Sequence, residues 1–213
     1  MTSSLVEAQK IFGTSSTVAV ARYLVGMYLE HRLPDGSKLG GWIVDCEAYL
    51  GPEDEAAHSY GMRQTPRVRA MYQDPGTIYL YQMHTHLILN MVTQPAGQPQ
   101  GVMIRGLEPD PASLAQMSGN RGGKTGAAIS DGPGKLIEAL GVTPDFYGQS
   151  IFSSDLHICP EKKRQPRKIL ELPRIGIPNK GKWTQLPLRF VCEGNPYVTK
   201  QKKADVAADH GWQ

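Results

Sequence analysis

Apolar and polar positions alternate along GWIVDCEAYL, residues 41–50, and a period of two predicts a strand. MYLEHRL, PGTIYLY, LILNMVT and GVMIRGLEP are similar short runs, and the polar QMHTH joins the second to the third as a hairpin. Helical spacing is confined to short stretches. VAVARYLVG has Ser16 or Thr17 available as a cap, and DGPGKLIEALG opens after a glycine-rich turn. RIGIP and PLRFVCEG read as late strands, the region around MSGNRGGKTGAA as a polar loop, and ADVAADHGWQ as a loosely held tail. With 23 Gly and 16 Pro the chain is punctuated often, so elements are short. The pattern predicts a mixed α and β domain.

A length of 213 residues fits one domain, assigned here to residues 1–200 with a flexible tail at 201–213. No apolar run approaches the roughly 20 residues that span a bilayer, and MTSSLVEAQK lacks a basic start followed by an apolar block. The expectation is a cytoplasmic protein with no membrane partner. Cys46, Cys159 and Cys192 are odd in number and far apart, with no CxxC pair, which suits a reducing compartment. Net charge is +3, but it is unevenly spread. Residues 1–157 carry 11 Lys and Arg against 15 Asp and Glu, while residues 158–213 carry 12 against 5. One end of the chain therefore suits polyanions, although a solvated basic face explains the same clusters.

The strand at 41–50 also carries chemistry. Alternation puts Ile43, Asp45, Glu47 and Tyr49 on one face and Trp42, Val44, Cys46 and Ala48 on the other. If the second face is buried, the two acids look toward water. Just beyond, GPEDEAAHSYGMRQTPR gathers three acids and a histidine where loops commonly bear function. Pro52 followed by EDEAAH is a good helix start, which would set Asp54 and His58 on one face as a metal pair. No third ligand stands nearby and HExxH is absent, so no metal is expected. GGKTG is not a P-loop, because Ser118 occupies the position of the first required glycine.

DCEAYLGPEDEAAHS, followed in order by RQTPR, PGTIYLY, VMIRGLEP, GPGKL and PLRFVCEGNPYV, resembles the alkyladenine (3-methyladenine) DNA glycosylase family over roughly residues 18–198. The resemblance implies an α+β single domain with a curved, mainly antiparallel β core, open-barrel-like, with short helices and a protruding β-hairpin. It implies excision of alkylated purines from double-stranded DNA by a monofunctional, cofactor-free enzyme that leaves an abasic site. The absence of a long basic N-terminal extension points to a bacterial, nucleoid-associated protein, and a monomer is the default for an enzyme that wraps one lesion. By the same resemblance Glu47 is the base that activates water, and Tyr49, His58 and Tyr81 stack around a flipped base. Asn90 crowds the amino group of guanine, Arg105 lies near the pocket, and Arg63, Thr65 and Lys135 contact phosphates.

These residue types suit that chemistry. A base inside a duplex must be rotated out to be reached, and flat aromatic faces attract cationic alkylpurines. A cationic purine leaves readily, so one carboxylate can suffice where sugar hydrolysis ordinarily calls for two. The chain departs from the family at the hairpin tip, where QMHTH lacks the usual wedge tyrosine and the stretch from Tyr81 to Asn90 is about one residue short; Met83 or His84 would have to serve. Lys182 in NKGKW also replaces a family glutamate. Two other functions stay open: a damage-binding module with little catalysis, and a carbohydrate glycosidase pairing Glu47 with Asp45, Glu53 or Asp54.

Overall fold

The alternating segment forms most of the longest strand of an antiparallel sheet, in a computed structural model that describes residues 2–213. Eight strands contribute: β1 (Tyr28–Arg32), β2 (Lys38–Tyr49), β3 (Ile78–Met83), β4 (His86–Val92), β5 (Gly101–Pro109), β6 (Leu156–Cys159), β7 (Ile169–Leu172) and β8 (Arg189–Cys192). Their order is β3-β4-β5-β2-β1-β6, and β7 joins through β8, which pairs with β2. The sheet curls into a half-barrel within one mixed α+β domain.

The fold turns on β2, which changes partner halfway. Lys38 to Trp42 pair with β1, whereas Asp45 to Glu47 pair with β8. At this fork the register against β5 shifts on both sides of Asp45, the mark of a bulge. Gly106 faces it, and a Cβ there would stand 2.5 Å from the Tyr197 carbonyl oxygen and 3.1 Å from Asp45 Cβ. The bulge also corrects the simple alternation. Ile43 and Val44 both enter the main core, so Ile43 does not share a face with Asp45, and Trp42 packs instead with Tyr28 and Cys159.

Beyond the bulge the period of two holds across neighbouring strands. Cys46, Ala48, Val102, Ile104, Leu89, Met91, Ile78 and Leu80 line the core face. Each large apolar side chain buried there contributes about 1.5–3 kcal/mol. A slip of one residue would turn that whole set outward, so the core fixes the register. On the opposite face one transverse row runs Tyr79, Asn90, Met103, Glu47 and Arg189, through paired positions of β3, β4, β5, β2 and β8.

Four helices cover the core: α1 (Ser3–Thr14), α2 (Thr17–Leu24), α3 (Leu114–Asn120) and α4 (Pro133–Leu140). α1 is absent from the sequence reading; it loses helical geometry at Phe12 and Gly13 and buries only Ala8 and Phe12. Ser16, rather than Thr17, caps α2 by accepting from the Ala19 N–H at 3.2 Å. α3 takes up the first part of the expected polar loop. The helix expected after Pro52 shrinks to one 3-10 turn at Gly51–Glu53, and RIGIP forms a loop instead of a strand. Residues 210–212 of the segment expected as a loose tail lie against β5, where Glu108 accepts from Trp212 Nε1 at 2.8 Å and contacts His210 Nδ1 at 2.9 Å.

Candidate active site

Glu47 is fully buried at the centre of the transverse row. Its alternation-derived face is the right one, but that face does not look at water. Loops 50–72 and 173–178 roof it, because Asp54 and Arg174 pair through two hydrogen bonds of 2.6 and 2.9 Å with neither side chain exposed. Asp54 also accepts from the Leu50 and Ala56 N–H groups, both at 3.0 Å. Its backbone is extended and its oxygens are consumed, which explains why no helix forms and why Asp54 and His58 make no metal pair. The Arg174 guanidinium in turn lies 4.6 Å from the Tyr49 ring centre.

Three donors surround the Glu47 carboxylate. Oε1 accepts from the Ile175 N–H at 2.8 Å and stands 3.3 Å from Arg105 Nη1, while Oε2 accepts from the Tyr49 hydroxyl at 2.9 Å. A carboxylate offers about four lone-pair positions, so one stays available. Burial pushes the Glu47 acid up from its ordinary value, against the opposing pull of Arg105 and the Ile175 N–H. Asp45, two residues earlier, is committed elsewhere: Arg189 binds it through Nε at 2.9 Å and Nη2 at 2.7 Å, and the Thr199 N–H adds a third contact at 3.0 Å. The two strand acids therefore have different tasks.

Above Arg105 and Tyr49 opens a cavity of about 310 Å³ whose walls include His58, Tyr79, Tyr81, Met83, Asn90 and Met103. His58 Nδ1 lies 2.9 Å from the Tyr79 hydroxyl, and its ring meets Tyr81 edge-on at 4.6 Å. Burial, with Arg67 and Arg63 adding to it, lowers the His58 pKa, favouring the neutral ring. Asn90 is tied by Nδ2 to the Tyr79 carbonyl at 3.3 Å. Beside this cavity lies a second groove of about 420 Å³ that shares His58 and holds Arg63 and Thr65.

The structure thus gathers Tyr49, His58, Tyr81, Asn90 and Arg105 around one cavity, with Glu47 beneath it. Arg63 and Thr65 stand in the adjoining groove. Met83 reaches the cavity wall from the hairpin, whereas His84 sits at the exposed two-residue tip with φ of +54° and lines neither opening. Lys135 also lines neither; it pairs with Asp131 at 2.6 Å, while its neighbour Pro133 touches the cavity. The sequence reading missed Tyr79, Met103, Arg67, Arg174 and the Ile175 N–H. Tyr79 was accessible from its period-two relation to Tyr81, and Arg67 from its place in RQTPR. Nothing local marks Arg174 or Ile175, which act from a loop more than 120 residues away along the chain.

A family model described as methylpurine-DNA glycosylase matches residues 11–196. Similar proteins include one from Enterococcus faecalis, 60% identical over the whole chain and 93% of its own length. Another from Staphylococcus carnosus is 48% identical, covering 95% of this chain and 98% of its own. One from Listeria monocytogenes is 44% identical, covering 93% and 94%. All three are provisionally named 3-methyladenine DNA glycosylases. The chain belongs to the methylpurine-DNA glycosylase family.

Proposed function

We propose that this enzyme hydrolyses the N-glycosidic bond of alkylated purines, 3-methyladenine and 7-methylguanine first among them, and of deaminated or etheno purines, in double-stranded DNA. The observation that carries this reading is a buried, partly hydrogen-bonded carboxylate beneath an aromatic cavity of base size. The damaged nucleotide rotates out of the duplex and its base enters between Tyr49, His58 and Tyr81. Their electron-rich faces favour a cationic ring, and a neutral His58 adds no opposing charge. Asn90, fixed by the Tyr79 carbonyl, presents its amide where a guanine amino group would crowd it.

Glu47 then takes a proton from water as that water attacks the sugar carbon, and its charge offsets the oxocarbenium character developing there. An acid raised by burial is a stronger base than a free glutamate, which suits it to the step. Arg105 holds the carboxylate in place, and the Tyr49 hydroxyl orients the other oxygen. The purine departs and an abasic site remains. Arg63, Thr65 and Lys135 position the strand through phosphates, and Met83 or His84 meets the gap left in the stack. We assign the activity to residues 1–200 and to a monomer in the bacterial cytoplasm, associated with the nucleoid through DNA.

A carbohydrate glycosidase needs a second free carboxyl near Glu47. Asp45 and Asp54 are held by Arg189 and Arg174, and Glu53 is exposed on the 3-10 turn at Gly51–Glu53 rather than buried beside Glu47, so that reading lacks support. The deciding experiment is release of free methylated purines from dimethyl-sulfate-treated duplex under single-turnover conditions, comparing the wild type with Glu47→Gln. Release that depends on Glu47 supports the proposal. Retained DNA binding with no release by the wild type would leave a damage-binding module.

A further inference from the structure

The groove beside the base cavity has its own composition. Arg63, Arg67 and Lys180 line it against one acid, Glu55, and Tyr60 forms part of its wall. Among the described residues none of these three cations makes an ion pair. Arg67 does lie over the Tyr81 ring, 5.2 Å from its centre, which ties the groove to the base cavity. The two openings also share His58, Gly176 and Ile177 as a common wall.

The turn that carries Tyr60 is unusual. Tyr60 is 50% exposed and Met62 49%, among the most exposed large apolar side chains described. Gly61 and Met62 both have positive φ, +65° and +61°. A methionine in that region is strained, and exposure gives it no packing to offset the strain. Positive charge that tracks a backbone, together with an aromatic face held in the open, is the combination that binds an unstacked nucleotide strand.

We propose that this groove is a second nucleotide subsite. It takes the nucleotide next to the flipped one on the damaged strand, with the phosphate held by Arg63, Arg67 and Lys180 and the base stacked on Tyr60. The subsite rests on the reading of the neighbouring cavity as a flipped-base pocket. It gives the damaged strand a grip that does not depend on the hairpin tip, where no tyrosine, phenylalanine or tryptophan stands.

The test measures affinity for a duplex with one abasic site, carrying 2-aminopurine next to that site on either side, at several salt concentrations. Tyr60→Ala should bind about tenfold more weakly, the effect of losing one base-to-aromatic stack, and Tyr60→Phe should bind within about twofold of the wild type. The wild type should quench 2-aminopurine on one side only, and Tyr60→Ala should not. Lys180→Ala should lower the slope of log affinity against log salt by about one. Met62→Gly relieves the backbone, so its melting temperature should not fall while its affinity does.

Unchanged affinity and unchanged quenching in Tyr60→Ala, with an unaltered slope in Lys180→Ala, would overturn the subsite. The two readings fail separately. Base release by the wild type without any Tyr60 effect sinks only the subsite, whereas a Tyr60-dependent grip without base release sinks only the glycosylase mechanism.

Discussion

Three glutamates, Glu30, Glu47 and Glu108, are buried in this one sheet, and the surroundings of the first two push them in opposite directions. Glu30 on β1 faces Lys162 at 2.7 Å, Lys38 at 2.9 Å and His157 at 3.6 Å. Burial alone would raise its pKa, but the two lysine hydrogen bonds outweigh burial and lower it. His157 and Cys159 lie close enough to join it as metal donors, yet both Glu30 oxygens are engaged by ammonium groups. Glu47 has a single guanidinium at 3.3 Å and two neutral donors, and burial prevails. The first site is a neutralised structural cluster. The second leaves its carboxylate short of counter-charge, and this difference separates the proposed base from a strut.

The largest effect expected from breaking that contrast is on chemistry. Glu47→Gln should slow single-turnover base release by about 10²–10⁴-fold while abasic-DNA binding persists. Because the folded-state pKa of Glu47 is raised, its charge costs stability increasingly as pH rises from about 4.5 through the folded value, and the full cost applies above that. Thermal melting at neutral pH should therefore show Glu47→Gln no less stable than the wild type.

Next in size is the Asp54–Arg174 roof over Glu47, both of whose side chains are fully buried, whereas the lysines over Glu30 are half exposed. Asp54→Asn strands the fully buried Arg174 and should cost about 3–5 kcal/mol in chemical denaturation. Loss of base release should accompany it, because Arg174 and Ile175 share one loop. In the wild type, the acid limb of base release should have its midpoint above pH 4.5, since the base works only when deprotonated; a midpoint at or below that value would contradict the Glu47 environment.

The smallest effect belongs to Glu30. Glu30→Gln should cost about 1 kcal/mol, since both lysines are half exposed and water can replace their partner. The Glu30 contribution is present above its unfolded pKa and lost as pH falls through the lowered folded value, so the gap between the variant and the wild type should begin to close as pH falls below about 4.5 and vanish once the folded carboxyl is protonated. Base release should be unchanged. A drop in release from Glu30→Gln would erase the distinction between the two acids.

Much of this was legible in the chain, for physical reasons that can be named. Residues Cys46 to Tyr49 alternate without interruption, so their faces follow from strand geometry alone. Residues 42–45 do not, because the bulge inserts a residue opposite Gly106, and no local pattern reveals the register of a partner strand. The helix expected after Pro52 fails for a similar reason: its local signals are sound, but Arg174, 120 residues away, holds Asp54 in an extended conformation. RIGIP reads as a strand because it alternates, yet its backbone is spent on Glu47 at Ile175 and its first residue on Asp54. The resemblance pointed to Tyr49 and His58 through EAYLGPEDEAAHS and to Tyr81, Asn90 and Arg105 through the later motifs, whereas the loops that roof Glu47 were visible only in the fold.

The fork at Asp45 has a consequence for how the molecule is made. One strand must find β1 nearby, β5 some 60 residues on and β8 about 145 residues on before Glu47 has its neighbours. Pairings of such separation are slow, because chain closure must precede the contacts that reward it. A ribosome releasing this chain therefore carries no assembled site: Glu47 lacks its Ile175 contact, and Asp45 its Arg189 and Thr199 contacts, until the last of those residues has emerged.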